Sequence, residues 1–340
     1  MVGEDFPALL KLVVEKRNLT AQQSALALDL ILAGKATPVQ ISSFLTALKL
    51  KGESVDEITG FVQSIRKNAV QANLDANNLV DTAGTGGDGT NTFNISTCAA
   101  IVASAVPGVK VAKHGNRAAS SASGSADVLE ELGVKIVFDA SNARKFFDEA
   151  GFVFLFAPAF HPALKIVAPI RKELGFKTIF NILGPLSNPA GAKRQLLGVF
   201  DKQAAVKMAQ VLKNLGCEKA LVVSSDTDEL SISANTLVIE VENGAVKQYE
   251  VSPEDFGFRN QPLDSLIVAD KKQSAQKILS VLRGESGAAR DIVLLNAGAA
   301  VYASGVTASI KDGVDLAKKA IDSGAALKKL ELLKKTSLHF

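Results

Sequence analysis

The chain of 340 residues has no tryptophan, two tyrosines, two cysteines and three histidines. Cys98 and Cys217 lie far apart and form neither a disulfide framework nor a Cys-x-x-Cys metal site. His114, His161 and His339 are too few for a histidine-rich metal cluster. Long apolar runs are missing as well. The longest, Phe152 to Phe160, falls far short of the roughly 18 residues that a membrane span needs. Nor is there a strong excess of either charge: 38 Lys and Arg against 35 Asp and Glu leave +3, which argues against a dedicated nucleic-acid binder. The first residues, "MVGEDFPALLKL", place acids before the apolar positions, contrary to a signal peptide. These absences predict a cytoplasmic chain with neither membrane nor nucleic acid as a partner.

What is present is the composition of a globular protein, with 47% apolar and 21% charged residues. The length suits one large domain or two unequal ones. Residues 1–72 predict a small all-helical domain. Thr20 and Gln23, Thr37 and Gln40, and Ser54 and Glu57 each have capping-box spacing, and Pro38 occupies a favoured first helical position. From Leu79 the pattern changes. Short runs ("NLVDT", "VKVAK", "VKIVF", "FVFLF", "QLLGVF", "KALVVSS") alternate with capped helices, which predicts an α/β fold with a mainly parallel sheet flanked by helices. Asn243-Gly244 between two strand runs signals a hairpin. The domain division is thus 1–72 and 73–340, with helices from about 160–185 as candidates to join the first.

Residues 84–89, "GTGGDG", match the glycine spacing of a dinucleotide-binding loop, but the context does not. Such a loop opens a helix at its last glycine and has an acid about 20 residues on. Here "TNTFNIST" follows, and no carboxylate stands between Asp88 and Asp127. A Walker loop is excluded too, because no Gly-Lys-Ser/Thr is present there. The remaining reading is a phosphate site built from three loops, each placed after a strand. "DTAGTGGDGTNTFNIST" combines glycines with Asn94, Ser96 and Thr97 at a helix start. "KHGNRAASSASGSAD" offers Lys113, Arg117 and several serines, and "SSDTDELSI" sets Asp228 beside Glu229. Carboxylates near a phosphate site make sense with Mg²⁺ between them.

In order, "GTGGDGTNTFNIST", "KHGNRAASSASGSADVLEELG", "RKELGFKTIFNILGPLSNPA" and "DELS" resemble the motifs of the anthranilate phosphoribosyltransferase family, over essentially the whole chain. The first two motifs are shared more loosely with pyrimidine nucleoside phosphorylases, which remain an alternative. A non-catalytic nucleic-acid-binding relative is a third. The resemblance implies transfer of phosphoribose from phosphoribosyl pyrophosphate (PRPP) to the amine of anthranilate in tryptophan biosynthesis, with up to two Mg²⁺ ions and a homodimer formed through the helical part. It implies a PRPP site of Gly84, Gly87, Asp88, Thr92, Asn94, Ile95, Ser96, Thr97, Lys113, His114, Gly115, Asn116, Arg117, Ala118, Ala119, Ser120, Ser121 and Ser125. Ser96, Asp228 and Glu229 would hold the metal. Gly84, Asn116, His161 and Arg171 would contact anthranilate, with Asn116, Arg171 and His114 catalytic. Arg171 suits a carboxylate because a guanidinium meets it with two parallel donors.

Overall fold

The computed structural model describes residues 5–74, 76–118 and 122–340. The chain begins with helices α1 (Phe6–Val14), α2 (Ala21–Leu32), α3 (Pro38–Lys51) and α4 (Val55–Lys67). Local chemistry starts three of them. Thr20 with Gln23, Thr37 with Gln40 and Ser54 with Glu57 exchange reciprocal hydrogen bonds of 2.8 to 3.3 Å. Glu57 reaches further than its cap. Its buried carboxylate accepts from Leu19 N at 3.0 Å and from Lys51 Nζ at 2.7 Å, tying α3, α4 and the segment before α2 together. Stranding one partner of such a buried pair costs about 3–5 kcal/mol.

Strands β1 (Leu79–Asp81), β2 (Lys110–Gly115), β3 (Phe152–Phe156), β4 (Arg194–Gly198), β5 (Lys219–Ser224), β6 (Thr236–Glu242) and β7 (Ala245–Val251) follow. Among the described residues they form one seven-stranded sheet in the order β3-β2-β1-β4-β5-β6-β7. The pairs from β3 across to β5 are parallel, and β6 and β7 add antiparallel. Asn243 and Gly244, at φ 48° and 83°, make the turn of the β6–β7 hairpin, where both central residues need positive φ.

Between the strands lie α5 (Ile95–Ser104), α6 (Ser125–Glu131), α7 (Ala140–Ala150), α8 (Ala157–Phe160), α9 (Ala168–Leu174), α10 (Phe180–Leu183) and α11 (Lys202–Asn214). Helices α12 (Lys271–Leu282), α13 (Ala288–Ala303), α14 (Ile310–Asp322) and α15 (Ala325–Ser337) complete the chain. Successive strand residues face opposite ways, and the core divides accordingly. Leu196, Leu221 and Val223 join α5, α12 and α13 on one face. Leu197, Ala220 and Val222 join α11, α1–α4 and the segment of Val167, Ile170, Ile179 and Phe180 on the other.

One expected strand is absent. In "VKIVF", Val134, Ile136 and Phe138 are buried while Lys135 and Val137 are exposed, yet no strand pairs with the run. Lys135 N donates instead to Ser337 Oγ of α15 at 3.1 Å. Alternating burial follows from having one face against a core. A ladder needs a neighbouring strand as well, and here a helix stands alongside.

The strand order places β1 between β2 and β4, where the direction of chain progression reverses. In open parallel sheets the crevice for ligands lies at this point, beyond the carboxyl ends of the strands. The glycine loop leaves β1 there.

Candidate active site

Three loops converge beyond the ends of β1, β2 and β5. Gly84 forms a bridge with Gly198 at the end of β4, and Gly86 N donates to Asp228 Oδ2 at 2.8 Å. A Cβ on Gly198 would overlap the Asp228 carbonyl oxygen, so a glycine is required for the Asp228–Glu229 loop to approach. Glu229 accepts a hydrogen bond from the backbone of Ser96, in the first turn of α5. Ser96 Oγ accepts from Lys113 Nζ at 3.2 Å, and the same ammonium donates to Thr82 O at 2.8 Å and Thr82 Oγ1 at 3.3 Å. Beside them, Thr97 has a buried hydroxyl without a partner.

The electrostatics of this cluster are unbalanced. Burial, then the neighbouring Asp88, pushes the Asp228 carboxyl up to about 6. Glu229 is raised well above the usual carboxylate range by burial and by Asp228. Burial lowers Lys113, against the pull of Asp81, Glu229 and Asp228. Among the described residues no group of three or more His, Cys, Asp and Glu side chains could hold a metal ion. Mg²⁺ does not require one, since one or two carboxylates, a substrate phosphate and water satisfy it. The hard oxygens of Ser96, Asp228 and Glu229, with two carboxylates whose charge lacks compensation, fit that ion.

The second loop runs differently from its composition. Gly115 is crowded by Ser125 Oγ and Phe154, leaving no space for a Cβ. Asn116 is exposed, and its backbone carbonyl accepts from Ser125 Oγ at 3.3 Å. Arg117 is engaged by Asp127 and Glu130 and lies over the Phe156 ring, so its guanidinium is already satisfied on the α6 side. Ala118 N donates to Asp127 Oδ2 at 2.9 Å. Ala119, Ser120 and Ser121 lie outside the described residues. In the first loop, Asp88 accepts from Thr90 N and Oγ1 at 3.1 and 2.7 Å, Thr92 bridges Ile267, and Ile95 is a core residue. Asn94 Oδ1 takes the hydroxyls of Ser123 and Ser274 at 2.9 and 2.8 Å, so this side chain braces the loop against α12.

The opposite side of the cleft is built from the end of β2, the stretch around His161 and residues 171–184. His114 and His161 pack edge to face with ring centroids 5.0 Å apart. Burial, the neighbouring His161 and Lys113 push His114 down to about 3, and burial pushes His161 down to about 4, so both rings are neutral. His114 Nδ1 lies 3.0 Å from Gly184 O. A carbonyl only accepts, so Nδ1 carries the proton and Nε2 presents a bare lone pair. Arg171 Nη2 donates to Asn181 Oδ1 at 3.4 Å, and the guanidinium lies over the Phe180 ring at 5.4 Å. Burial lowers its pKa, but an arginine stays cationic. Nε2 of His114 and His161, Nε of Arg171 and Oγ1 of Thr178 are all buried without a partner. Buried polar atoms in this state call for a ligand or water.

With this geometry in view, the relatives are informative. The glycosyl transferase family's a/b domain matches residues 76–327, and its helical bundle domain matches residues 7–69. An anthranilate phosphoribosyltransferase from a Thermoanaerobacter species is 50% identical over 323 residues, 94% of this chain and 95% of its own. The chain belongs to the anthranilate phosphoribosyltransferase family. Among solved members, the Thermus thermophilus enzyme superposes with a TM-score of 0.92 at 41% identity, covering 97% of this chain and 99% of its own. The Saccharomyces cerevisiae enzyme, in complex with PRPP and Mg, superposes with a TM-score of 0.90 at 29% identity, covering 98% of each chain.

In this member of the family, several contributors escaped the reading of the sequence. Asp81 is buried, with Oδ1 accepting from His114 N at 3.1 Å and Oδ2 from Asn188 Nδ2 at 2.8 Å. Asn188 Nδ2 also reaches Ala112 O at 2.8 Å, so "LGPLSNP" is bolted to the end of β2. Gly198, Ser274, Thr178 and Lys177 complete the group. Asp81 and Asn188 lay inside quoted motifs, but only their spatial pairing reveals their work.

Proposed function

We propose that this chain moves phosphoribose from PRPP to the amine of anthranilate, yielding N-(5-phosphoribosyl)anthranilate and pyrophosphate. The observation that carries the reading is the meeting of Gly86 N, Asp228, Glu229, Ser96 and Lys113 at the sheet's reversal point. PRPP takes the cradle of Gly84, Gly87, Asp88, Thr92, Asn94, Ser96, Thr97 and the Lys113–Ser125 loop. Mg²⁺ held by Ser96, Asp228 and Glu229 would neutralise charge on the departing pyrophosphate. The cytoplasm as its place, a division near residue 72 and a homodimer through the helical part belong to the same proposal. Among the described residues no helix is long and apolar enough to cross a membrane.

The chain's own residues prepare the chemistry. As the bond from C1 of the ribose to pyrophosphate breaks, negative charge grows on the leaving oxygen. Fixed donors aimed at such charge remove much of the barrier. The Thr97 hydroxyl, buried without a partner in the first turn of α5, is suited to that role. On the other side Arg171 holds the anthranilate carboxylate. His114, neutral and with Nε2 as an acceptor, takes a hydrogen bond from the amine and turns its nitrogen lone pair toward C1. At a pKa of about 3, His114 orients the amine rather than deprotonating it. Asn116, exposed at the end of β2, completes the acceptor side.

The test mixes protein, anthranilate, PRPP and Mg²⁺ and follows the loss of anthranilate fluorescence, omitting each component in turn. The signal should disappear with every omission. Loss of fluorescence without PRPP, or none with the full mixture, would overturn the assignment.

A further inference from the structure

The donor cradle is short of available protein cations. Asp88, Asp228 and Glu229 face one another closely enough to raise the latter two, and Lys113 is the cation among them. Its ammonium is committed to Thr82 O, Thr82 Oγ1 and Ser96 Oγ, which uses all three of its donors. Arg117 is held by Asp127 and Glu130. Among the described residues of the three loops, both cations, Lys113 and Arg117, are therefore already committed when a polyphosphate enters this cradle.

A cation does arrive from the opposite side. Lys177, exposed in "GFKTIF", stretches across to the glycine loop and donates to Gly87 O at 3.3 Å. The loop meets it closely: a Cβ on Gly87 would stand 2.8 Å from Lys177 Nζ. Among the described residues Lys177 has no carboxylate partner within salt-bridge distance, so its charge rests on one neutral carbonyl. The neighbouring Ile179 and Phe180 belong to the core shared with α1–α4, whereas the loop hangs from β1. The contact thus joins the two walls of the cleft.

We infer that Lys177 is a further substrate-binding residue, whose ammonium leaves Gly87 O for the pyrophosphate of PRPP. This rests on the reading of the cradle as a PRPP site. A lysine on a flexible four-carbon stem can exchange a carbonyl for a phosphoryl oxygen above the same loop without backbone movement. The exchange replaces a long bond to a neutral acceptor by a charge-assisted one. It also keeps the wall that carries Arg171 tethered to the donor loop. Thr178 N and Arg171 Nη2 share Asn181 Oδ1, at 3.0 and 3.4 Å, so Lys177 and Arg171 sit on one hydrogen-bonded segment. Donor binding then steadies the group that receives the acceptor.

Calorimetry on Lys177→Met and Lys177→Arg tests this, with PRPP, pyrophosphate and ribose 5-phosphate as ligands in the presence of Mg²⁺. The methionine variant should bind PRPP and pyrophosphate about tenfold or more weakly, the scale of one hydrogen bond to a charged group. Ribose 5-phosphate affinity should hold, arginine should retain most of the binding, and the ligand-free melting temperature should not move. Unchanged pyrophosphate binding in Lys177→Met, beside a wild type that binds PRPP, overturns the role of Lys177 alone. A wild type that binds neither PRPP nor pyrophosphate overturns the cradle itself. A loss confined to ribose 5-phosphate would place Lys177 at the wrong end of the substrate.

Discussion

The two halves of the cleft solve opposite problems. The donor half gathers carboxylates around one committed ammonium, and its polar groups are largely bonded to each other. It is rich in charge and short of countercharge. The acceptor half has one arginine, two neutral imidazoles and a set of buried polar atoms with no partner. It is short of hydrogen bonds. The contrast suits a polyanion bound through cations against a small aromatic acid bound by one ion pair and shape. It also follows that the halves should fail differently.

The largest effect belongs to the donor half. Asp228→Ala with Glu229→Ala should lower kcat/KM for PRPP by at least about 100-fold, the scale of losing one strong electrostatic stabiliser. Anthranilate KM should move little. Near-normal turnover by the double variant at ordinary Mg²⁺ would remove the metal from this place. The next effect lies across the cleft. Arg171→Ala forfeits a partly desolvated charge partner, worth roughly 2–5 kcal/mol, and should raise anthranilate KM about 30-fold or more. Lysine there should rescue only in part, because it keeps the charge and loses the fork. A variant with normal anthranilate KM and weakened PRPP binding would erase the division between the halves.

Thr178→Val sharpens the contrast at lower amplitude. Its hydroxyl is buried without a partner, so the free protein loses no bond and should be as stable or slightly more so. If the hydroxyl meets the acceptor, anthranilate KM should rise several-fold, in keeping with about 0.5–1.5 kcal/mol for one neutral hydrogen bond. Unchanged KM would leave that hydroxyl outside the acceptor's reach.

The smallest expected effect is on stability against pH. His161 has its folded pKa depressed to about 4, below the unfolded value of about 6.5. The folded state therefore binds fewer protons across that window. This contribution is complete above about 6.5 and is lost as pH falls toward 4. Melting curves at about pH 7.5 and about pH 5 should show a smaller acid-side loss for His161→Gln than for wild type. Equal losses would mean that His161 titrates as an ordinary surface histidine.

Much of this was legible because it is local. Capping boxes, the Asn243-Gly244 turn and the placement of loops after strands depend on residues within a few positions of one another. The strand expected at "VKIVF" failed where the local signal ended, since alternation records a buried face and says nothing of what stands beside it. The candidate site residues were proposed through motif resemblance, and the need for a cation was legible in adjacent carboxylates in a phosphate setting.

What the sequence determined by itself was therefore the helical start, the α/β class, the family and the identity of the chemical groups. Tertiary structure decided what each of those groups touches and how it is charged. It turned Arg117 toward α6, neutralised both histidines by burial, and brought Gly86 to Asp228 across 142 positions and Asp81 to Asn188 across 107. It also set Lys177 over Gly87. A side chain's partners, solvent exposure and protonation are properties of its surroundings, and those surroundings exist only once distant segments have packed.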